Sequence, residues 1–366
     1  MRTNSIRTAA AAAVFLSLAA GCGGGGATAP IPPGILAYLY VLDETGKVHS
    51  LTLDNTGALT LLTSRTTGAP NPTDMDYEAA SKTLVAVSGN DQVNVMSVSA
   101  NGSLGANAPN TITPANPPYD NPLQCAKLVS GVLFVGASID PGLVLSDRGY
   151  VYSFTVSPNG GLASQTHGSD LAYHSAFAVV GNELVAGSSG NSSLSRWTMT
   201  GQNLGPIGSV LGAPGRVFDI ETVPGYCAVA GQDGSNNVRL KCYDGNWNQA
   251  TFAPLSVPGL QGRADLSFGL NGRAYVVGRS TNKIATVLFS SGTFTPSSSG
   301  TLPFATGAEG VAADPSGKFV VVTDKESGDV QAIPIDPTTG APDFTNPLPA
   351  AFSTGGAPTK VIAVAP

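Results

Sequence analysis

The sequence predicts an all-β chain folded as a ring: a seven-bladed β-propeller of four-stranded antiparallel blades. Three observations carry this. Short β-branched runs are punctuated throughout by Gly, Pro, Asp and Asn, and the 366 residues include 45 Gly and 27 Pro. One such run recurs seven times, roughly 45 to 50 residues apart, the length of a four-stranded blade. A strand that the count requires near the N-terminus stands instead at the C-terminus.

The clearest unit runs from Gly310 to Pro342. GVAADP is its first strand, closed by the turn Pro315-Ser316-Gly317. Phe319 to Thr323 is its second, and Glu326-Ser327-Gly328 turns into a third from Val330 to Ile335. Pro337 to Gly340 ends that strand, and a weaker fourth is expected around Asp343 to Thr345. One such sheet cannot bury both of its faces alone, so copies of it must stack.

The second strand recurs as LYVL from Leu39, LVAV from Leu84, LFVG from Leu133, LVAG from Leu184, YCAVA from Tyr226, AYVVG from Ala274 and FVVVT from Phe319. The third recurs in step, from VHSLTL at Val48 to VQAIPI at Val330. Inner strands are expected to start near Pro72, Pro122, Ser175, Arg216, Arg263 and Gly310. None precedes Leu39, but Pro358 to Pro366 matches GVAADP and has no strand after it. The C-terminal strand is therefore expected to be the inner strand of blade 1, pairing Val361–Val364 with Leu39–Val41. Such a closure removes an open sheet edge.

Composition excludes several functions. A formal net charge of -6 argues against a nucleic-acid partner, whose phosphates favour a basic surface. Only 11% of residues are charged, and no interior stretch reaches the roughly 20 apolar residues of a membrane span. GxSxG, HExxH, P-loop and CxxC motifs are absent. The run Gly21 to Gly26 matches GxGxxG in letters, but no strand precedes it and no helix follows it, so no dinucleotide site is expected.

The first 21 residues read as an export signal. Arg2 and Arg7 give a positive start, and Ala9 to Ala20 is an apolar stretch too short to span a bilayer. Leu18-Ala-Ala-Gly21-Cys22 resembles the lipobox of bacterial lipoproteins, which implies that Cys22 is lipidated and anchors the chain to a membrane. The glycine after Cys22, in place of an aspartate, implies the outer membrane. Residues 22–34 then form a Gly/Pro-rich tether, and 35–366 the propeller.

LYVLDETGKVHSLTLDNTGAL from Leu39 and PSGKFVVVTDKESGDVQAIPIDPTTGAP from Pro315 resemble YVTN-type propellers and the seven-bladed lactonase family, whose founding activity is 6-phosphogluconolactonase. The resemblance spans essentially the whole mature chain and implies the fold. These phrases are turn and core chemistry, and they say little about a reaction.

Rotationally equivalent positions in a propeller form rings around the axis. The entry to the inner strand is expected to hold Asn71, Asn121, His174, Arg216, Arg263, Glu309 and Thr359, with Lys360 beside the last. In the lactonase family this entry lies near the proposed active site. Arg216 and Arg263 are candidate ligand-binding residues for a carboxylate or phosphate, and His174 or Glu309 the candidate general base toward a lactone carbonyl. Alternatively these groups pair with Asp219, Asp265 and one another and only close the channel mouth. Asp74 and Asp76 share a strand face, but two carboxylates fall short of a calcium shell, so no metal is assigned. No cofactor is implied. His49 is expected on the polar side of its strand and His167 in a Gly/Ser-rich loop, both at the surface.

Cys227 and Cys242 flank the turn Asp233 to Asn236, and counting outward places them opposite each other. In an exported protein they are expected to form a cross-strand disulfide; the alternative is two separate small hydrophobic residues. Cys125, on an inner strand, is expected to be a buried, inert thiol. Together these readings favour a monomeric, lipid-anchored binding or scaffold module of the cell envelope, with a protein or a small anion as partner. The rival is a hydrolase of sugar lactones.

Overall fold

The computed structural model describes residues 34–366, except 69–70, 90, 113–122, 139–148, 171–172, 191, 248–253 and 305–307. The proposed signal, Cys22, most of the tether and Asn121 lie outside the described residues. Seven four-stranded antiparallel sheets form the ring. The closing strand Pro358–Val364 pairs with Ile35–Asp43 in the expected register: Tyr38 faces Val364, Tyr40 faces Ile362 and Val41 faces Val361. Blade 1 thus takes its inner strand from the C-terminus and its other three from the N-terminal part of the propeller.

Each blade is covered on both faces by its neighbours, so its second strand is a continuous apolar run rather than an alternating one. Leu39 to Leu42, Leu84, Val85, Val87 and Val320 to Val322 are all fully buried. Seven apolar clusters fill the seven interfaces, such as Leu39, Val41, Val321 and Val330 between blades 7 and 1, and Tyr40, Leu84 and Met96 between blades 1 and 2. The outermost strands, such as Leu59–Thr66 and Thr293–Thr301, face solvent and are mostly polar. Gly102 shows how tight the interfaces are. At φ +81°, any Cβ there would lie 2.3 Å from the Tyr38 ring.

Two local expectations change. The fourth strand of blade 7 is Phe352–Ser353, not Asp343 to Thr345. Asp343 instead caps a turn, its Oδ1 accepting from the Thr345 backbone N–H at 2.8 Å and from the Thr345 hydroxyl. Cys227 and Cys242 are also not bridged; both are free, buried thiols. Asn236 adopts φ +65° and lengthens the hairpin by one residue, so that Gln232 pairs with Val238. A one-residue slip sends a side chain to the opposite face. Cys227 therefore stands across from Tyr243 and packs toward blade 4, while Cys242 stands across from Ala228 and packs toward blade 6.

Candidate functional site

The inner strands line an axial cavity of about 610 Å³. Their entry is irregular in a repeating way. A β-bulge interrupts pairing between Pro72 and Asp74, Leu123 and Cys125, His174 and Ala176, Val217 and Asp219, and Ala308 and Gly310, and again where the closing strand meets Asp43. The bulged residue is freed from the ladder and re-aimed. Thr73, Gln124, Ser175, Phe218, Glu309 and Thr359 are these residues, and all line the cavity, as does Arg263 of blade 6.

The next ring is fixed by pairing to the last position of the LYVL-like motif, or in blade 6 to the position before it. It holds Asp74, Cys125, Ala176, Asp219, Asp265, Gly310 and Lys360, opposite Val87, Gly136, Gly187, Ala230, Val277, Thr323 and Leu42. Four members are charged and three are small. The Lys360 ammonium lies 3.6 Å from Asp74 Oδ1, 3.6 Å from Asp265 Oδ1 and 4.0 Å from Asp219 Oδ1. A third ring, two residues further along, includes Asp76, Lys127, Glu221 and Ser267, with Lys127 Nζ 3.0 Å from Asp76 Oδ1.

The carboxylates also hold the ring together. Inner strands splay apart at the axis, leaving backbone donors with no strand partner. Asp74 Oδ2 accepts from Ala126 N–H at 2.9 Å, Asp76 Oδ2 from Leu128 at 2.7 Å, Asp219 Oδ2 from Leu266 at 2.8 Å and Asp265 Oδ2 from Val311 at 2.7 Å. One oxygen of Asp74, Asp219 and Asp265 latches the next blade, and the other faces Lys360.

Crowding shapes the ionisation. Burial pulls the Lys360 ammonium down, but Asp265, Asp74, Asp219 and Glu221 overcome this and hold it well above its ordinary range. Burial raises Asp219 to about 6, with Lys360 opposing and Asp265 adding to the rise. Burial and the charge of Asp219 raise Glu221 to about 8. Asp74 and Asp265 are raised by burial too, against the pull of Lys360. These are the conditions that make carboxyl groups useful near neutral pH.

Of the residues expected at the mouth, the structure brings together Arg263, Glu309, Thr359 and Lys360. Glu309 is held by Arg279, with Nε 2.6 Å from Oε1. Arg263 lies over the Phe218 ring at 5.8 Å. Arg216 is exposed and outside the cavity lining, because the bulge at Phe218 comes two residues later. His174 is fully buried behind the wall, its ring centroid 5.8 Å from that of Phe177 and 5.5 Å from that of Trp197. It cannot serve as the channel base. Asn71 also falls short of the wall; Thr73 takes that place. Sequence reasoning missed Asp219 and Glu221 as reactive groups. Counting pairs back from each second strand would have found them.

His49 and His167 also differ from expectation. His167 is exposed but lies on the strand Leu162–Asp170 beside Tyr150 and Tyr152. His49 shares the face of Leu51 and Leu53 and is only 4% exposed. Its Nε2 lies 3.0 Å from Asp43 Oδ2, and its Nδ1 is 2.9 Å from Ser64 Oγ. The order is that of a serine–histidine–carboxylate relay. However, Asp43 Oδ1 accepts from Thr45 N, Thr45 Oγ1 and Lys47 N, so the carboxylate is also the centre of a turn. The group ties three strands of blade 1 together.

No protein-family model and no curated protein matches the chain. Solved structures do. The periplasmic gluconolactonase of Pseudomonas aeruginosa is similar with a TM-score of 0.72 at 17% identity, covering 90% of this chain and 99% of that one. A provisionally assigned 6-phosphogluconolactonase from Bacteroides uniformis gives a TM-score of 0.72 at 14% identity, with 90% and 99% covered. Its counterpart from Bacteroides fragilis gives 0.70 at 13%, with 92% and 100% covered. At these identities the likeness is one of fold, a seven-bladed β-propeller.

Proposed function

We propose that this protein hydrolyses lactones in its axial channel. The observation that carries the reading is Lys360 gathered with Asp74, Asp219 and Asp265 in an open cavity, with Glu221 beside them. Asp219 and Glu221 stand two residues apart on one strand and so share a face. At neutral pH Asp219 is largely a carboxylate and accepts a proton from water, while that water's oxygen attacks the lactone carbonyl carbon. Lys360 stabilises the charge that develops on the carbonyl oxygen. As the ring C–O bond breaks, protonated Glu221 gives its proton to the departing alkoxide, leaving the open hydroxy acid. No cofactor is required. The lactonase-like fold of the similar structures supports the reaction class.

In the same reading the chain is exported and works as a monomer tethered by lipid on Cys22, which suits substrates outside the cytoplasm. The signal-like residues 1–21 motivate this.

Hydrolysis of glucono-δ-lactone, followed by pH-stat above the buffer rate, tests the activity. Glu221→Gln and Asp219→Asn are each expected to lower kcat/KM by about 100-fold or more. The wild-type profile should rise through about pH 6 and fall through about pH 8. A wild-type protein that accelerates no aldonolactone ends the hydrolase reading and leaves a binding or scaffold role for the ring.

A further inference from the structure

We infer that the channel takes uncharged sugar lactones and rejects phosphorylated or carboxylated ones. This rests on the hydrolase reading for the reaction but on the charges of the wall for the selectivity. Among the described residues the cavity is lined by eight carboxylates and five cationic side chains. Four of those cations are already committed. Lys127 is paired with Asp76, Arg279 with Glu309, Lys325 with Glu44, and Lys360 with three aspartates. The fifth, Arg263, lies over the Phe218 ring, and its charge already acts on Asp265 and Glu309. An anion entering this channel must displace a carboxylate from its partner while facing the surplus of negative charge.

A polyol meets the opposite situation. Asp265 is 8% exposed, and its Oδ2 accepts the Val311 N–H. Its Oδ1 stands 3.6 Å from Lys360 Nζ, beyond hydrogen-bond reach, and keeps lone pairs for a donor. Asp74 Oδ1, also 3.6 Å from Nζ, is in the same position. Hydroxyl groups of a neutral sugar lactone supply such donors without adding charge. The wall therefore selects hydroxyl-rich ligands for the same reason that it repels phosphate.

The test separates binding from turnover. Calorimetry compares gluconolactam, the non-hydrolysable neutral analogue, with its 6-phosphate on the full propeller at low and high salt. The neutral compound is expected to bind at least tenfold tighter, with the gap narrowing as salt screens the wall. Glu309→Gln, which releases Arg279, should tighten the phosphate's binding several-fold. Equal or tighter binding of the phosphate, or no binding of either, overturns the selectivity. Glucono-δ-lactone turnover is scored separately. Neutral preference without turnover removes the hydrolase reading and keeps the selectivity; turnover with phosphate preference does the reverse.

Discussion

Blades 3, 4 and 7 place Cys125, Ala176 and Gly310 at the ring position where blades 2, 5 and 6 and the closing strand place Asp74, Asp219, Asp265 and Lys360. The backbone position is the same in all seven. On the neutral side, packing closes the wall: Cys125 is fully buried with Phe134, Phe177 and Trp197. On the charged side, hydrogen bonds close it, with one carboxylate oxygen latched to the neighbouring blade and the other aimed at Lys360. The contrast shows that a repeat fold can gather charged groups at its axis while those groups also hydrogen-bond neighbouring blades together. The latch is required by the splayed inner strands, and the second carboxylate oxygen comes with it.

The largest expected effect comes from removing the element that joins both roles. Truncation before Pro358 deletes the inner strand of blade 1 and the lysine that stands among the three aspartates. It opens a sheet edge and leaves the carboxylates without their counter-ion, so cooperative thermal unfolding should be lost. Lys360→Met, which keeps the strand, should lower stability by about 3 kcal/mol, the low end for an uncompensated buried charge, because the side chain is 28% exposed. Cys125→Ala, the matching change on the neutral side, should cost about 1 kcal/mol. Equal losses in urea unfolding would erase the distinction between the neutral and the charged positions.

A subtler difference lies in pH. Glu221 titrates in the native protein at about 8, against an ordinary value of 4.5. Between those values the folded protein holds more protons than the unfolded chain, so stability falls as pH rises. The contribution is complete below the unfolded value and gone above about pH 8. Asp219, raised to about 6, acts in the same direction over a lower window. Glu221→Gln should flatten the decline in melting temperature between pH 5 and 8 alongside its loss of turnover. Substitutions on the neutral side should leave the pH slope intact. A wild-type melting temperature that rises across this interval would contradict the raised carboxyls.

How much of this was legible follows the same division. The seven second strands announce themselves because burial on both faces forces continuous apolar runs, and Leu39–Leu42 and Phe319–Thr323 need no partner to be recognised. The closing strand at Val361 followed from counting copies. The mouth was legible where blade 6 lacks a bulge, at Arg263, and where the position counted is itself the bulged residue, at Glu309 and Thr359. It was misread at Asn71, His174 and Arg216, because one bulged residue moves the axis-facing side chain and leaves no mark in composition. The same cause misplaced Cys242, where a single left-handed Asn236 changed the face. Single-residue insertions belong to pairing between strands, and a pattern read along one strand cannot show them.

The smallest expected effect concerns Cys125, and it asks whether the wall at a neutral position is as closed as the charged positions are open. Its thiol occupies the same ring position as Asp74 and Asp219 but is fully buried. Burial, with the nearby charge of Asp74 adding to it, pushes the thiol well above its ordinary range, so at neutral pH it carries essentially no thiolate. Cys227 and Cys242 are buried as well, Cys242 pushed up to about 12 by burial. Iodoacetamide should therefore leave Cys125, Cys227 and Cys242 of the native protein unmodified over hours, and a reductant should not move the melting temperature, since Cys227 and Cys242 form no disulfide. In denaturant Cys125, Cys227 and Cys242 should all react, as located by peptide mass spectrometry. Selective native labelling of Cys125 would mean that the wall between Phe134 and Phe177 opens toward the axis. The distinction between packed neutral positions and open charged ones would then describe one conformation rather than the working protein.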